Sequence, residues 1–296
     1  MLLRPLLHVR CCAPAARLAT GLRCASSSVA STELSVDYLL GERAGIVAIS
    51  MNRPAAKNAI SRGLLAAMTE AVSSVRFDRT VRAVIIRSLV PGAFCAGADL
   101  KERAKMRPEE VAPFVSRARA LMSELENLPM PVIAALDGAA LGGGLEMALA
   151  CDLRVASSSA KLGLVETKLA IIPGAGGTQR LPRLVGPARA KELMFTAAVL
   201  DGNQAARIGL VDHAVPQTDA GDAAYQKAVQ IAERILPNGP VGVRMVKKAV
   251  NLGMQMDLSS GLAVEEACYA QVIPTKDRIE GLTAFKEKRV PNYTGE

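Results

Sequence analysis

Short apolar runs and amphipathic stretches alternate along the chain from residue 33 to about residue 215. Leu34–Leu40 and Ile46–Met51 flank the polar segment Gly41–Arg43, a pattern that predicts a β-hairpin. Apolar residues then recur at helical spacing and predict one buried helix face, formed by Leu64, Leu65, Met68, Ala71, Val72 and Val75. Continuous apolar runs predict further strands at Val81–Arg87, Pro131–Leu136, Asp152–Ala156, Lys161–Val165 and Leu210–Val215.

Helical patterns replace this alternation from Ala188 onward, at about 188–196, 203–208, 220–236, 240–253, 257–271 and 275–287. The change predicts an α/β core followed by a helical C-terminal region. One of the last helices carries an apolar stripe that needs a covering surface, on its own domain or on a neighbouring subunit. The stripe comprises Leu262, Val264, Ala267, Ala270 and Ile273.

The first 32 residues differ in composition from the rest of the chain. They contain four arginines and several serines, and no acidic residue occurs before Glu33. This composition is typical of a mitochondrial transit peptide, and it fits a secretory signal less well because Arg10 and Arg17 interrupt the apolar stretch. We therefore expect a transit peptide at 1–32, an α/β core at 33–220 and a C-terminal helical region at 221–296.

Charge and composition restrict the classes of partner. Without the four N-terminal arginines the formal net charge falls from +8 to +4, which suits an anionic substrate and is a weak nucleic-acid signal. No apolar run reaches the ~18 residues that span a bilayer, so no membrane partner is expected. Cys95, Cys151 and Cys268 are too widely spaced to suggest a metal site, and we expect reduced thiols.

Two glycine-rich turns are the strongest candidates for chemistry. Gly142-Gly143-Gly144 lies between a predicted strand and a predicted helix, where exposed amides and the helix dipole favour negative charge. Glu146 follows within the first helical turn, so the turn can hold an oxyanion beside a carboxylate. The second turn, Ile172–Thr178, has Glu166 shortly before it. Neither turn matches the glycine patterns that bind nucleotides.

The role of the two glutamates depends on whether they converge. Two carboxylates in one apolar pocket would titrate apart and provide one proton donor and one base. Alternatively, each is a surface residue at a helix start, as charged residues usually are. The spacing of Glu146 and Glu166 does not distinguish these cases. A covalent nucleophile is not indicated, because no serine lies in G-x-S-x-G and His213 is more typical of a structural residue.

Five segments together resemble, in order and spacing, the crotonase (enoyl-CoA hydratase/isomerase) family, and the resemblance covers roughly residues 33–296. The segments are Phe94–Lys101, Leu141–Glu146, Cys151-Asp152, Gly163–Glu166 and Ile172–Arg180. The resemblance implies a spiral of ββα units with C-terminal helices that support trimerisation and close the site. It also implies assembly into trimers or hexamers, an acyl-CoA substrate, and neither a metal nor a cofactor.

The resemblance also implies roles for residues at matching positions. The amides of Ala98 and Gly143 would form an oxyanion hole for the thioester oxygen. Glu146 would mainly activate water and Glu166 would mainly transfer the proton of the α-carbon. Substrate-binding positions, for the coenzyme A arm or for the placement of water and substrate, would be Lys57, Ala96, Asp99, Leu100, Lys101 and Gly174.

This chain has a glutamate at both catalytic positions of the family, and for this reason the resemblance favours hydratases over isomerases. Asp99–Met106, Val165–Pro173 and Ile273–Arg278 are most similar to the branch that hydrates 3-methylglutaconyl-CoA in leucine catabolism, in the mitochondrial matrix. The distal carboxylate of that substrate needs a cation or amide donors, and the sequence does not identify them. The alternatives are a short-chain enoyl-CoA hydratase or isomerase of fatty-acid oxidation.

An AU-rich RNA-binding protein is the alternative from another functional class. The stretch that corresponds to the RNA-binding segment of similar proteins, 57–82, has no basic residue between Gly63 and Val75. A helix that follows phosphates needs clustered positive charge. The pattern therefore favours a scaffold helix over an RNA-binding one.

Overall fold

The structure is a computed structural model and describes residues 33–296. The transit peptide predicted for residues 1–32 lies outside the described residues. Two sheets form the core. The larger sheet has the order β1-β2-β3-β5-β7-β10 and is parallel except at the β1–β2 hairpin. Its strands are Leu34–Tyr38, Ile46–Met51, Ala83–Ser88, Val132–Leu136, Leu153–Ser157 and His213–Val215.

The smaller sheet has the order β4-β6-β8-β9, with an antiparallel pair only between β8 and β9. Its strands are Ala93–Cys95, Ala139–Leu141, Lys161–Gly163 and Leu200–Asp201. Strands β3, β5 and β7 of the larger sheet each continue directly into a strand of the smaller one. Helices follow these strand pairs, which gives the ββα spiral.

Eleven α-helices occur within residues 33–296. In the α/β part, α1 to α7 are Arg62–Arg76, Leu100–Arg103, Pro108–Glu126, Gly143–Leu149, Gly177–Val185, Pro187–Phe195 and Gly202–Arg207. After β10, α8 to α11 are Ala223–Ile235, Pro240–Gly253, Leu258–Val272 and Lys276–Glu287. None of these described helices is long and apolar enough to cross a membrane.

Helices cover both faces of the larger sheet. The helix α8 packs Ala228 and Ala232 against Ile85 and Ile133 on one face. The main core lies on the other face. It includes the six apolar residues of α1 that were predicted to be buried, and all six are buried in the structure. The apolar stripe on α10 is largely open to solvent in the single chain, with Leu262 54% and Ile273 48% exposed.

The observed elements agree with most of the predicted ones, and the differences are concentrated in the smaller sheet. The strand predicted at Lys161–Val165 ends at Gly163, and the one predicted at Leu210–Val215 begins only at His213. The strands Ala93–Cys95, Ala139–Leu141 and Leu200–Asp201 have no counterpart in the prediction. Three-residue strands contain too few positions for a hydrophobic period.

Candidate active site

A cavity of about 570 Å³ lies where the smaller sheet meets α3 and α4. Its walls are the turn after β4, the N-terminus of α4, the segment 165–175, and one face of α3. Most of its lining is apolar, and Glu146 and Glu166 both reach it. A concave, mostly apolar space with a few convergent polar groups is the usual form of a small-molecule site.

The amides of Ala98 and Gly143 lie side by side at one wall of this cavity. Among residues 33–296, neither amide donates a backbone hydrogen bond. The turn before Ala98 depends on Gly97, whose φ of +94° favours glycine and whose absent side chain lets the chain pass close to Gly143. Two free amides, one of them at a helix N-terminus, can accept a developing oxyanion.

Close packing between β4 and α4 sets this arrangement. A Cβ at Gly144 would lie 2.2 Å from the carbonyl oxygen of Cys95, so only glycine allows the helix to approach the strand this closely. Because Cys95 lies three residues before Ala98, the contact positions both amide-bearing segments at once.

Glu146 is buried in the first turn of α4, with 3% of its surface exposed. Its Oε1 accepts hydrogen bonds from the amides of Ala175 and Gly177, each at 2.8 Å. Burial raises the pKa of Glu146, while these two hydrogen bonds favour its ionised form and limit the rise. With Oε1 held in this way, Oε2 is the oxygen left to contact a ligand.

Glu166 begins a short 3₁₀ helix, Glu166–Leu169, and its carboxylate lies beside Gly142 of the glycine triplet. Its Oε2 is buried without a hydrogen-bond partner among the described residues. Burial raises the pKa of Glu166 to about 7, and the negative charge of Glu146 contributes to the rise. A buried polar oxygen without a partner is uncommon in folded proteins and marks a position where a ligand or water is expected.

The structure therefore brings the four residues predicted for catalysis and the oxyanion hole to one cavity: Ala98, Gly143, Glu146 and Glu166. The two glutamates converge, so the surface alternative does not apply to them. Their environments differ, because one carboxylate has two amide donors and the other has a buried oxygen with none. The arrangement can stabilise an oxyanion, hold water and carry a proton at neutral pH.

The other predicted residues divide into two groups. Ala96, Leu100 and Gly174 line the cavity, whereas Lys57, Asp99 and Lys101 are outside its lining. The carboxylate of Asp99 is used within the protein. It caps α2 through the amides of Lys101 and Glu102 and forms an ion pair with Arg53 at 2.7 Å.

Two parts of the cavity were not predicted from the sequence: the face of α3 that lines it and the arginine at the end of α2. Phe114, Val115, Ala118 and Arg119 form this face, and Arg103 lines the cavity beside them. The helical spacing of the α3 residues was visible in the sequence, but which face covers a cavity and which packs on the core follows only from the fold. Among residues 33–296, no group of three histidine, cysteine or acidic side chains could hold a metal ion.

Comparisons with known proteins define the class to which this fold and site belong. A family model described as enoyl-CoA hydratase/isomerase matches residues 41–296. A solved structure of enoyl-CoA hydratase from Bacillus anthracis is similar with a TM-score of 0.85 and 50% identity, covering 89% of this chain and 100% of that one. The chain belongs to the enoyl-CoA hydratase/isomerase family, whose members act on acyl-CoA thioesters, and the fold prediction is confirmed.

Two groups of relatives within the family have high sequence identity to this chain. "Methylglutaconyl-CoA hydratase, mitochondrial" of Homo sapiens is 61% identical over 264 residues, which are 89% of this chain and 78% of that protein. "Enoyl-CoA hydratase domain-containing protein 2, mitochondrial" of Mus musculus is 54% identical, covering 92% of each chain. Both names place these relatives in mitochondria, in agreement with the mitochondrial location predicted from residues 1–32.

Proposed function

We propose that this chain adds water to the C2–C3 double bond of 3-methylglutaconyl-CoA and so forms 3-hydroxy-3-methylglutaryl-CoA. The observation that carries the chemistry is the pair of differently held carboxylates, Glu146 and Glu166, beside two free amides in one cavity. The choice of acyl group is supported by 61% identity to methylglutaconyl-CoA hydratases of rat, human and mouse.

In this proposal Glu146 is the base. Its ionised form is favoured by the amides of Ala175 and Gly177, which also fix its orientation. The free oxygen takes a proton from water while the hydroxyl oxygen bonds to C3 of the substrate. The electron pair of the double bond moves toward the thioester, where an enolate oxygen develops.

The amides of Ala98 and Gly143 bind this oxygen as its charge grows. Losing one such donor typically costs ~10²–10³ in rate. Glu166, whose pKa of about 7 keeps a substantial protonated fraction at neutral pH, then gives its proton to C2. The product gains one water molecule, and the two carboxyls return to their initial protonation states by exchange with solvent. No metal or cofactor takes part in these steps.

We also propose that the enzyme works in the mitochondrial matrix as a trimer or hexamer. Leu262 and Tyr269 on α10, Ile273 directly after it, and Leu282 and Phe285 on α11 are exposed large apolar residues in the single chain. Contact between copies would cover these surfaces. Light scattering after size-exclusion chromatography should give a mass three or six times that of the mature chain, and a monomeric mass would contradict the proposal.

A comparison of substrates tests the proposed function. We expect kcat/KM for 3-methylglutaconyl-CoA to exceed that for crotonyl-CoA by at least about tenfold. A site that binds a polar group of its substrate through hydrogen bonds discriminates against analogues that lack this group. Equal or reversed values would favour a short-chain hydratase. Migration of the double bond without uptake of water would favour an isomerase.

A further inference from the structure

A distal carboxylate would bring a further negative charge into a cavity that already contains the carboxyl groups of Glu146 and Glu166. An unpaired charge in a largely apolar, partly closed space is strongly unfavourable. The cavity must therefore supply a cation if the proposed substrate is correct. Two arginines contribute to its lining, Arg103 at the end of α2 and Arg119 on α3.

Arg119 is already engaged with the catalytic surroundings. Its Nε donates a hydrogen bond to the carbonyl oxygen of Gly174 at 3.0 Å, on the segment whose next residue, Ala175, binds Glu146. The positive charge of Arg119 also helps to keep the pKa of Glu146 from rising further. These contacts fit a residue that positions the Gly174 segment and supports the ionised form of the base.

Arg103 has no such engagement among the described residues. The acids nearest to it in sequence are paired with other arginines: Glu102 with Arg62, Asp99 with Arg53 and Glu109 with Arg107. The guanidinium of Arg103 lies 6.0 Å from the ring centroid of Phe114, at the outer range of a cation–π contact. Such a contact uses the flat face of the guanidinium and leaves its edge N–H groups free for a carboxylate.

The backbone of Arg103 is held at a defined position relative to the oxyanion hole. Its amide donates to the carbonyl oxygen of Asp99 at 2.8 Å, and Asp99, which caps α2, directly follows Ala98. In the substrate the distal carboxyl carbon is four bonds from the thioester carbon, about 5 Å in an extended chain. A helical turn rises about 5 Å, so the backbone of Arg103, one turn after Asp99, is displaced from the Ala98 segment by a similar length.

We propose that Arg103 binds the distal carboxylate of the acyl group through its guanidinium edge and so selects a dicarboxylic enoyl-CoA. This inference rests on the proposed function and identifies the side chain that binds the distal carboxylate of the proposed substrate. Paired N–H donors of arginine match the two oxygens of a carboxylate, which gives geometric selectivity in addition to charge. Lysine at the same position would keep the charge but lose the paired geometry.

The test compares two substrates that differ only at the distal end. One is 3-methylglutaconyl-CoA, and the other is 3-methylpent-2-enoyl-CoA, in which a methyl group replaces the carboxylate. In Arg103→Met the ratio of kcat/KM for the acid to that for the neutral substrate should fall about 10- to 100-fold, mainly through KM, because a charge-assisted hydrogen-bonded pair is lost. Arg103→Lys should give an intermediate ratio. The matched control is Arg117→Met, on α3 but outside the cavity, which should leave the ratio within about twofold of the wild-type value.

The outcomes separate this inference from the function on which it rests. An unchanged ratio in both Arg103 variants, with a wild-type enzyme that prefers the acid, would overturn the role of Arg103 alone. Loss of the preference in Arg119→Met but not in Arg103→Met would also overturn it and assign the carboxylate to Arg119. A wild-type enzyme without preference for the acid would overturn the proposed function itself.

Discussion

Glu146 and Glu166 illustrate how one residue type acquires two proton affinities within a single cavity. Burial raises the pKa of both carboxyls. Glu146 receives two amide hydrogen bonds that favour its charged form, whereas one oxygen of Glu166 is buried without a donor. Glu166 is therefore the residue that retains a proton closer to neutral pH, and the pair can serve as base and acid together.

The pH dependence of the reaction follows from the pKa of Glu166. Hydration requires its protonated form, so kcat/KM for hydration should fall by up to tenfold per pH unit as pH rises above about 7. Dehydration needs the same total protonation of the pair, with the proton on Glu146, and the hydration equilibrium takes up no net proton, so kcat/KM for dehydration should fall over the same range. Initial rates of hydration and dehydration from pH 5.5 to 9 give the pH profile of kcat/KM in each direction. A kcat/KM for hydration that stays constant or rises between pH 7 and pH 9 would contradict the assigned roles.

The sequence predicted which glutamates to consider but not how they are held. Glu146 lies where a surface residue would gain from the helix dipole, and nothing near it in sequence indicates burial. Its hydrogen-bond donors, Ala175 and Gly177, are 29 and 31 residues further along the chain. Contacts at such separations depend on the whole fold, so the environment that sets the pKa becomes visible only in the structure.

At the scale of elements, the approach of α4 to β4 is the contact that brings together the two free amides of the proposed oxyanion hole. Gly144→Ala would place a methyl group 2.2 Å from the carbonyl oxygen of Cys95 and force the helix outward. We expect this substitution to lower the free energy of unfolding by about 3 kcal/mol and to reduce turnover strongly. Urea denaturation and initial rates measure both effects.

Gly63→Ala is the matched control for this prediction. Gly63 lies in α1, and a Cβ there would meet no atom closer than 3.7 Å. Alanine in a helix should raise the free energy of unfolding by about 0.5–1 kcal/mol relative to glycine. If Gly144→Ala behaved like this control, the close contact would not be what positions the amides.

Long elements were predictable because their patterns are local. The helix α1 repeats apolar residues over four turns, and each of its six predicted inward residues is buried. The strands β4 and β6, three residues each, escaped prediction because they have too few positions to show a period. Those two strands lead into the turns that carry Ala98 and Gly143, so the part of the fold that builds the site was the hardest to predict.

At the scale of the whole molecule, the distribution of charge bears on RNA binding. The basic residues of α1 are Arg62 and Arg76, and both are engaged within the protein. Arg62 pairs with Glu102 and Glu110, and Arg76 donates to the carbonyl oxygen of Glu124. An RNA-binding helix would need several free cations, because affinity grows with each neutralised phosphate.

We therefore expect only weak binding to AU-rich RNA, with Kd above about 10 μM at physiological salt. Filter binding across a salt series measures it, with a scrambled RNA of the same length as the control. Micromolar or tighter binding with a steep salt dependence would contradict this expectation and favour the RNA-binding alternative.

The site is assembled from segments far apart in the chain: the turn after β4, the glycine triplet, the segment 165–175 and one face of α3. We propose that Glu146 and Glu166 perform the hydration together on an acyl-CoA held by the two amides. Glu146→Gln and Glu166→Gln keep the shape of each side chain and remove its ability to ionise. Glu70→Gln, at an exposed position on α1, is the matched control.

The most direct test measures turnover and acyl-CoA affinity for these three variants. We predict that each cavity variant loses about 10²- to 10⁴-fold in kcat, as expected when a general acid or base is removed, while Kd for the acyl-CoA product changes by less than about fivefold. The control should match the wild-type enzyme. Near-wild-type kcat in either cavity variant would contradict the account.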